Sequence, residues 1–198
     1  MMLLFSCKQA SLISYGVKTP NEETKESQAL FLKKVNAGEE INLTPDFNSL
    51  SSIIISGMTP TSVYIFDQKK NNIKLPGASN KCTLEPTIFI QSLVPANNYS
   101  YITDQNRDSI YSWFKNRGKD NSYTDKQDDF DFQIFITWAI WPGEKVFRRD
   151  IQQCIDAAKN NKNAKIQLVL LNLDKQADWG KENLKKVRFT KQSMSIIY

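Results

Sequence analysis

Histidine is absent from all 198 residues. The side chain that most often moves protons near neutral pH, and the commonest metal ligand, is thereby missing. No Ser-His or Cys-His nucleophile pair can be assembled. Cysteine is scarce: Cys7, Cys82 and Cys154, none of them in a C-x-x-C. Such spacing draws neither a zinc knuckle nor a dithiol redox motif. The carboxylates are scattered, with no spacing that predicts a catalytic dyad or a calcium loop. Basic residues are equally dispersed. The net charge of +5 is carried by pairs such as Lys33-Lys34, Lys69-Lys70, Arg148-Arg149 and Lys185-Lys186, and none extends into a long run. That pattern reads as a solvated basic surface, so no nucleic-acid partner is expected. No cofactor is expected either.

What is present fits a globular domain: 40% hydrophobic and 24% charged residues. A chain of this length is one domain by default and buries roughly 70% of its unfolded surface. Its first residues form an apolar run, Met1 to Phe5, far short of the about 20 needed to span a bilayer. The order is that of a signal-peptide end: apolar residues, then a small one, then a cleavage point. Leu4-Phe5-Ser6-Cys7 resembles the lipobox of bacterial lipoproteins, with a Phe that is similar to lipoboxes of the Bacteroidetes. A basic n-region is lacking; on this reading the start codon lies upstream. The resemblance implies lipidation at Cys7, residues 1–6 as the remnant of a signal peptide and 7–19 as a tether. The implied address is the bacterial envelope, as an outer-membrane lipoprotein. The absence of an acidic run after Lys8 points it towards the periplasm.

Local patterning gives the elements of residues 20–198. Thr19-Pro20 with Glu22 predicts a helix start, running to Ala37 and stopped by Gly38, with Phe31, Leu32 and Val35 as its apolar stripe. The β-branched run 52–56 predicts a buried strand. Residues 62–66 and 73–75 around a DQKKNN turn predict a hairpin, followed by a helix over 83–93. A helix capped by Thr103 or Asp104 is expected to carry Ile110, Trp113 and Phe114 up to Gly118. Residues 119–129 read as a polar linker. Alternation over 132–138 predicts a strand, and Phe147, Ile151, Cys154, Ile155 and Ala158 mark one face of a helix over 144–160. The apolar run 166–173 predicts a central strand, and a short helix is expected near 177–187.

Trp138-Ala139-Ile140-Trp141 with Gly143, between an apolar strand and a helix, resembles the W-A-x-W-C-G-P-C turn of thioredoxins. Ile166–Asp174 is similar to the next thioredoxin strand, which ends in Asn-x-Asp. Gly57 with Pro60-Thr61, then strand, turn, strand and helix, resembles the family's later half, here placed upstream. The whole resembles thioredoxin-like lipoproteins of Flavobacteria. The resemblance implies an α/β fold: a thioredoxin-like mixed sheet flanked by helices, with its halves circularly permuted. The two cysteine places hold Pro142 and Lys145, so the reactive thiols are gone. It implies a redox-inactive domain that binds an envelope protein partner and is tied to the membrane by its lipid. Thioredoxins bring the two turns together, which makes Pro60, Trp141, Pro142 and Lys145 the candidate surface. Pro60 is open to a cis or a trans bond, and Trp141 to packing or to partner binding. Cys154, on an apolar helix face, is expected to be buried. Cys82 sits in a loop with room to be exposed. Whether the two form a disulfide, remain thiols or serve a displaced oxidoreductase site stays open. A module that binds small molecules or glycans through Tyr and Trp near the two turns is the third reading.

Overall fold

The computed structural model describes residues 22–38, 40–77, 80–95, 97–103, 106–116, 129–141, 144–189 and 194–196. Cys7, the tether, most of the 119–129 linker, Pro142 and Gly143 lie outside the described residues. Helix α1 (Lys25–Lys34) starts later than Thr19-Pro20 because Thr24 and Ser27 cap it reciprocally: each side-chain oxygen accepts the other's backbone N–H, at 3.3 and 3.0 Å. It stops before Gly38. Asn36 takes the left-handed turn at φ 51, a conformation that asparagine tolerates.

Strand β1 (Ile41–Pro45) is followed by a 3-10 turn and α2 (Leu50–Ile55). The strand expected at 52–56 is this helix. Leu50 and Ile53 are buried while Ile55 is 84% exposed. That three-residue spacing is helical, and tertiary burial overrides the β preference of the isoleucines. Strands β2 (Val63–Asp67) and β3 (Asn72–Ile73) form the expected antiparallel hairpin. Asp67 shapes its turn by accepting the Asn71 N–H at 2.9 Å. Helix α3 (Leu84–Gln91) and strand β4 (Tyr101–Ile102) follow.

Asn106, and not Thr103, caps α4 (Arg107–Ser112), its side chain accepting the Asp108 N–H at 2.8 Å; Asp104 lies outside the described residues. The helix ends early because Phe114 enters β5 (Phe114–Asn116), which pairs antiparallel with β1. Strand β6 (Phe132–Trp138), α5 (Glu144–Asn160) and β7 (Ile166–Asn172) match the expected strand–helix–strand unit, and the two strands are parallel. A short α6 (Lys181–Lys186) and an antiparallel pair, β8 (Val187–Phe189) with β9 (Met194–Ile196), end the described chain.

Seven strands make one mixed sheet in the order β4-β3-β2-β6-β7-β1-β5. Its middle, β6-β7-β1, is parallel, and β2 lies antiparallel beside β6. Every residue of β6 is buried, as expected for a strand covered on both faces. Ile134, Ile136 and Trp138 pack under α1, α3 and α5 with Phe31, Ile90, Ile151 and Ile155. Phe135 faces the other side, with Phe66, Val169 and Leu171 packed against Ile53 of α2 and Ile110 of α4. Helices thus flank the sheet on both faces. Among the described residues no helix is long and apolar enough to cross a membrane.

Candidate site at the end of the central strands

Strands β6 and β7 run side by side and stop together, so their last residues share one end of the sheet. The antiparallel β2 begins there. Thr137 joins the two elements. Its hydroxyl donates to the Thr59 carbonyl at 2.5 Å and accepts the Ser62 N–H at 2.7 Å. Its carbonyl accepts the Thr61 N–H at 2.8 Å. The turn before β2 is therefore tied to the end of β6, four residues ahead of Trp141. Thr61 adopts φ 72, a strained conformation for a β-branched residue. It is held there by the bond to Thr137 and by the Cys82 N–H, which donates to its carbonyl at 2.7 Å. The Pro60 peptide is trans.

The expected surface changes composition. Trp141 is only 6% exposed and packs in the core cluster with Met58 and Ala139. Apolar contact outweighs a place in solvent for this ring, so it is a core residue and not a docking face. Pro60 remains half-buried at the turn, and Lys145 falls in the first turn of α5.

Behind the turn lies a buried polar chain. Asp174 follows β7 and is fully buried. Its carboxylate accepts the Ile140 N–H at 2.8 Å and the Asn172 side-chain amide at 2.8 Å. Gln176 donates to Asn172 at 2.6 Å and accepts from Gln28 of α1 at 2.6 Å. Burial pushes the Asp174 carboxyl up to about 7, only partly offset by hydrogen bonds from Asn172, Ile140 and Trp141; the Glu23 charge raises it further. The strand pattern did not single out Asp174 as a titrating group. The signal was there: a carboxylate directly after eight mostly apolar residues has little room outside the core.

No protein-family model, curated protein or solved structure matches the chain.

Both described cysteines are buried free thiols. Cys154 is on the apolar face of α5 as expected, but Cys82 is not exposed. The bond from its own N–H to Thr61 draws it inward, beneath α3. Burial pushes the Cys82 thiol well up, and the contact with Cys154 and the charge of Asp150 raise it further. Among the described residues no three His, Cys, Asp or Glu side chains converge to hold a metal ion.

A polar cleft of about 420 Å³ opens at the opposite end of the sheet. Phe132 forms its floor. Tyr99 stands edge-on to Phe132, with ring centroids 5.8 Å apart. Its hydroxyl is fixed between the Val94 carbonyl and N–H, at 2.9 and 3.0 Å. Asp67, Lys69, Asn71, Asn98, Tyr101 and Asp131 are among the other residues that line it. Sequence reading placed ligand-binding aromatics at the proline turns instead. The cleft depends on Asp67 meeting Phe132 across the β2–β6 register, which local patterns do not reveal.

Proposed function

We propose that the chain is a redox-inactive, thioredoxin-like binding domain, anchored to the cell envelope by a lipid on Cys7 and acting on an envelope protein partner. The observation that carries the redox part is the state of the thiols. Pro142 and Lys145 stand where the thioredoxin pattern has cysteines. The two described thiols are 1% and 0% exposed, and the raised Cys82 gives up its proton reluctantly. Thiol exchange needs an accessible thiolate, which neither supplies. The fold part is supported by the strand–turn–helix–strand unit β6–α5–β7. The turn–strand–strand–helix unit from Gly57 to α3, docked antiparallel beside it, adds to that support. The docking of Thr59 on Thr137 favours a peptide-binding surface at Pro60 and Lys145, without the Trp141 ring. An insulin-reduction assay is expected to give the rate of dithiothreitol alone; turnover above it would restore the oxidoreductase reading. Lys145→Glu is expected to keep the melting temperature but lose partners that co-purify from envelope extracts, and unchanged partners would end the binding reading.

A second reading, a glycan-binding module, is favoured by the cleft. Its carboxylates already accept hydrogen bonds, Asp67 from Asn71 and Asp131 from the Lys165 N–H at 2.8 Å. The cleft thus offers planar polar groups beside tyrosine rings, a combination suited to a neutral, hydroxyl-rich ring. Saturation with a matching neutral oligosaccharide is expected to raise the melting temperature by roughly 5 to 10 °C at a hundredfold excess over Kd, and Tyr101→Ala to abolish the rise. A shift with lysine-rich peptides instead would replace the sugar by a cationic ligand.

A further inference from the structure

We infer that the cleft floored by Phe132 takes a sugar carrying an acetamido group, an inference that rests on the glycan reading of that cleft and names its ligand class. Asn71, in the β2–β3 turn, and Asn97, in the loop after α3, both line the cleft. Asn71 donates from its side-chain nitrogen to the Asp67 carboxylate at 3.1 Å, so its carbonyl oxygen is left to accept. Asn97 accepts the Asn98 N–H on its side-chain oxygen at 2.9 Å, so its NH2 group is left to donate. One cleft thus holds an amide acceptor from one loop and an amide donor from another. A hydroxyl is served by any single donor or acceptor. A secondary amide needs one of each, because its N–H only donates and its carbonyl only accepts. An acetamido group is such an amide, and Pro95, which lines the same cleft, supplies apolar surface for its methyl.

Both loops are fixed before a ligand arrives. The Tyr99 hydroxyl bonds the Val94 N–H and carbonyl, which ties down the start of the loop that carries Asn97. Asp67 also accepts the Asn71 N–H at 2.9 Å, and the neighbouring Lys70 is paired with Asp108 at 2.8 Å. Groups held this way lose little freedom on binding. Tyr101, 47% exposed, is an open ring for the sugar to lie against. The cleft of about 420 Å³ is at the small end of the range for small-ligand sites, about 300–1,000 Å³. That size suits the end of a short glycan better than a long peptide strand. Asp67 and Asp131 outnumber Lys69 around the cleft, so charge favours a neutral acetamido sugar over one bearing carboxylate or phosphate.

The test is calorimetric titration of the full chain with diacetylchitobiose and with cellobiose, the same β-linked disaccharide with hydroxyls in place of acetamido groups. The acetylated sugar should bind about ten- to a hundredfold more tightly. Saturation-transfer NMR should show its methyl protons in the strongest contact with the protein. Asn97→Asp keeps the oxygen that accepts the Asn98 N–H but removes the donor. This variant should keep the melting temperature and bind the acetylated sugar no better than cellobiose. Equal affinities for the two sugars in the wild type would overturn the acetamido inference and leave the glycan reading in place. Binding of neither would end both. An acetylated dipeptide amide that binds as tightly as diacetylchitobiose would replace the sugar by a peptide. A preference that survives in Asn97→Asp would overturn the assignment of the amide to this pair of loops.

Discussion

Between pH 5 and pH 7 the unfolding free energy is expected to fall by roughly 1.4 kcal/mol per pH unit and then to level off. The cause is Asp174. Its folded pKa of about 7 stands above the 3.8 of an ordinary aspartate. The folded state therefore keeps a proton that the unfolded chain has released. The stability gained from that proton is complete below about pH 4 and is lost as the pH rises through 7, on the order of 4 kcal/mol across the window. Asp174 is buried on all sides, so solvent screening does little to reduce the effect. The chain has no histidine, the side chain that ordinarily titrates in this window. Denaturant unfolding followed from pH 4 to 8.5 reads the slope directly. Asp174→Asn should flatten it, since the amide carries no proton to lose. At pH 4 the variant should stay close to the wild type, because the protonated carboxyl already pairs one donor with one acceptor oxygen, as the amide does. A wild-type protein with level stability across this range would show that Asp174 is ionised at little cost.

Replacing Trp138 by alanine is expected to cost about 3–5 kcal/mol. The ring is fully buried at the end of β6 and lies flat on Phe31, with centroids 5.0 Å apart and planes 4° from parallel. Its indole N–H donates to Asn42 at 3.1 Å, which leaves that acceptor without its donor in the variant. Trp138 thus clamps α1 and β1 to the sheet at once. Ile55→Ala is the matched control, since Ile55 is 84% exposed and should change stability by less than about 0.5 kcal/mol. Chemical denaturation compares the two. A Trp138→Ala loss under about 1 kcal/mol would mean that α1 docks independently of this stack.

The sequence announced Trp138 through alternation, and it announced β6, α5 and β7 for the same reason: each buries a regular stripe. The β2–β3 hairpin was legible through its turn chemistry. Residues 52–56 were misread because three successive isoleucines carry strand preference in any short window, while the helical spacing of Leu50 and Ile53 shows only with the flanks included. Strand β5 was hidden because Phe114 continues an apolar helical pattern, and only β1, about seventy residues earlier, makes it a strand. At the candidate site, the expectation was that the turns at 59–60 and 141–145 meet; Thr59 is bonded to Thr137, four residues before Trp141. The burial of Trp141 was not anticipated, because depth depends on neighbours such as Met58 that lie distant in sequence. The burial of Cys82 was invisible for the same reason.

The strand order also dictates when the protein can take shape during its synthesis. Strand β1 has its parallel neighbour in β7, and β2 has its neighbour in β6. A ribosome adding roughly 5–20 residues per second must therefore reach Asn172 before the centre of the sheet can close. Until then Leu43, Val63, Ile65 and Phe66, all buried in the end, have no sheet interior to enter. Long-range pairing of this kind folds slowly and exposes sticky intermediates. The nascent chain is thus a natural client for chaperones that shield apolar strands, and a truncation ahead of β7 would leave an aggregating fragment instead of a smaller working domain.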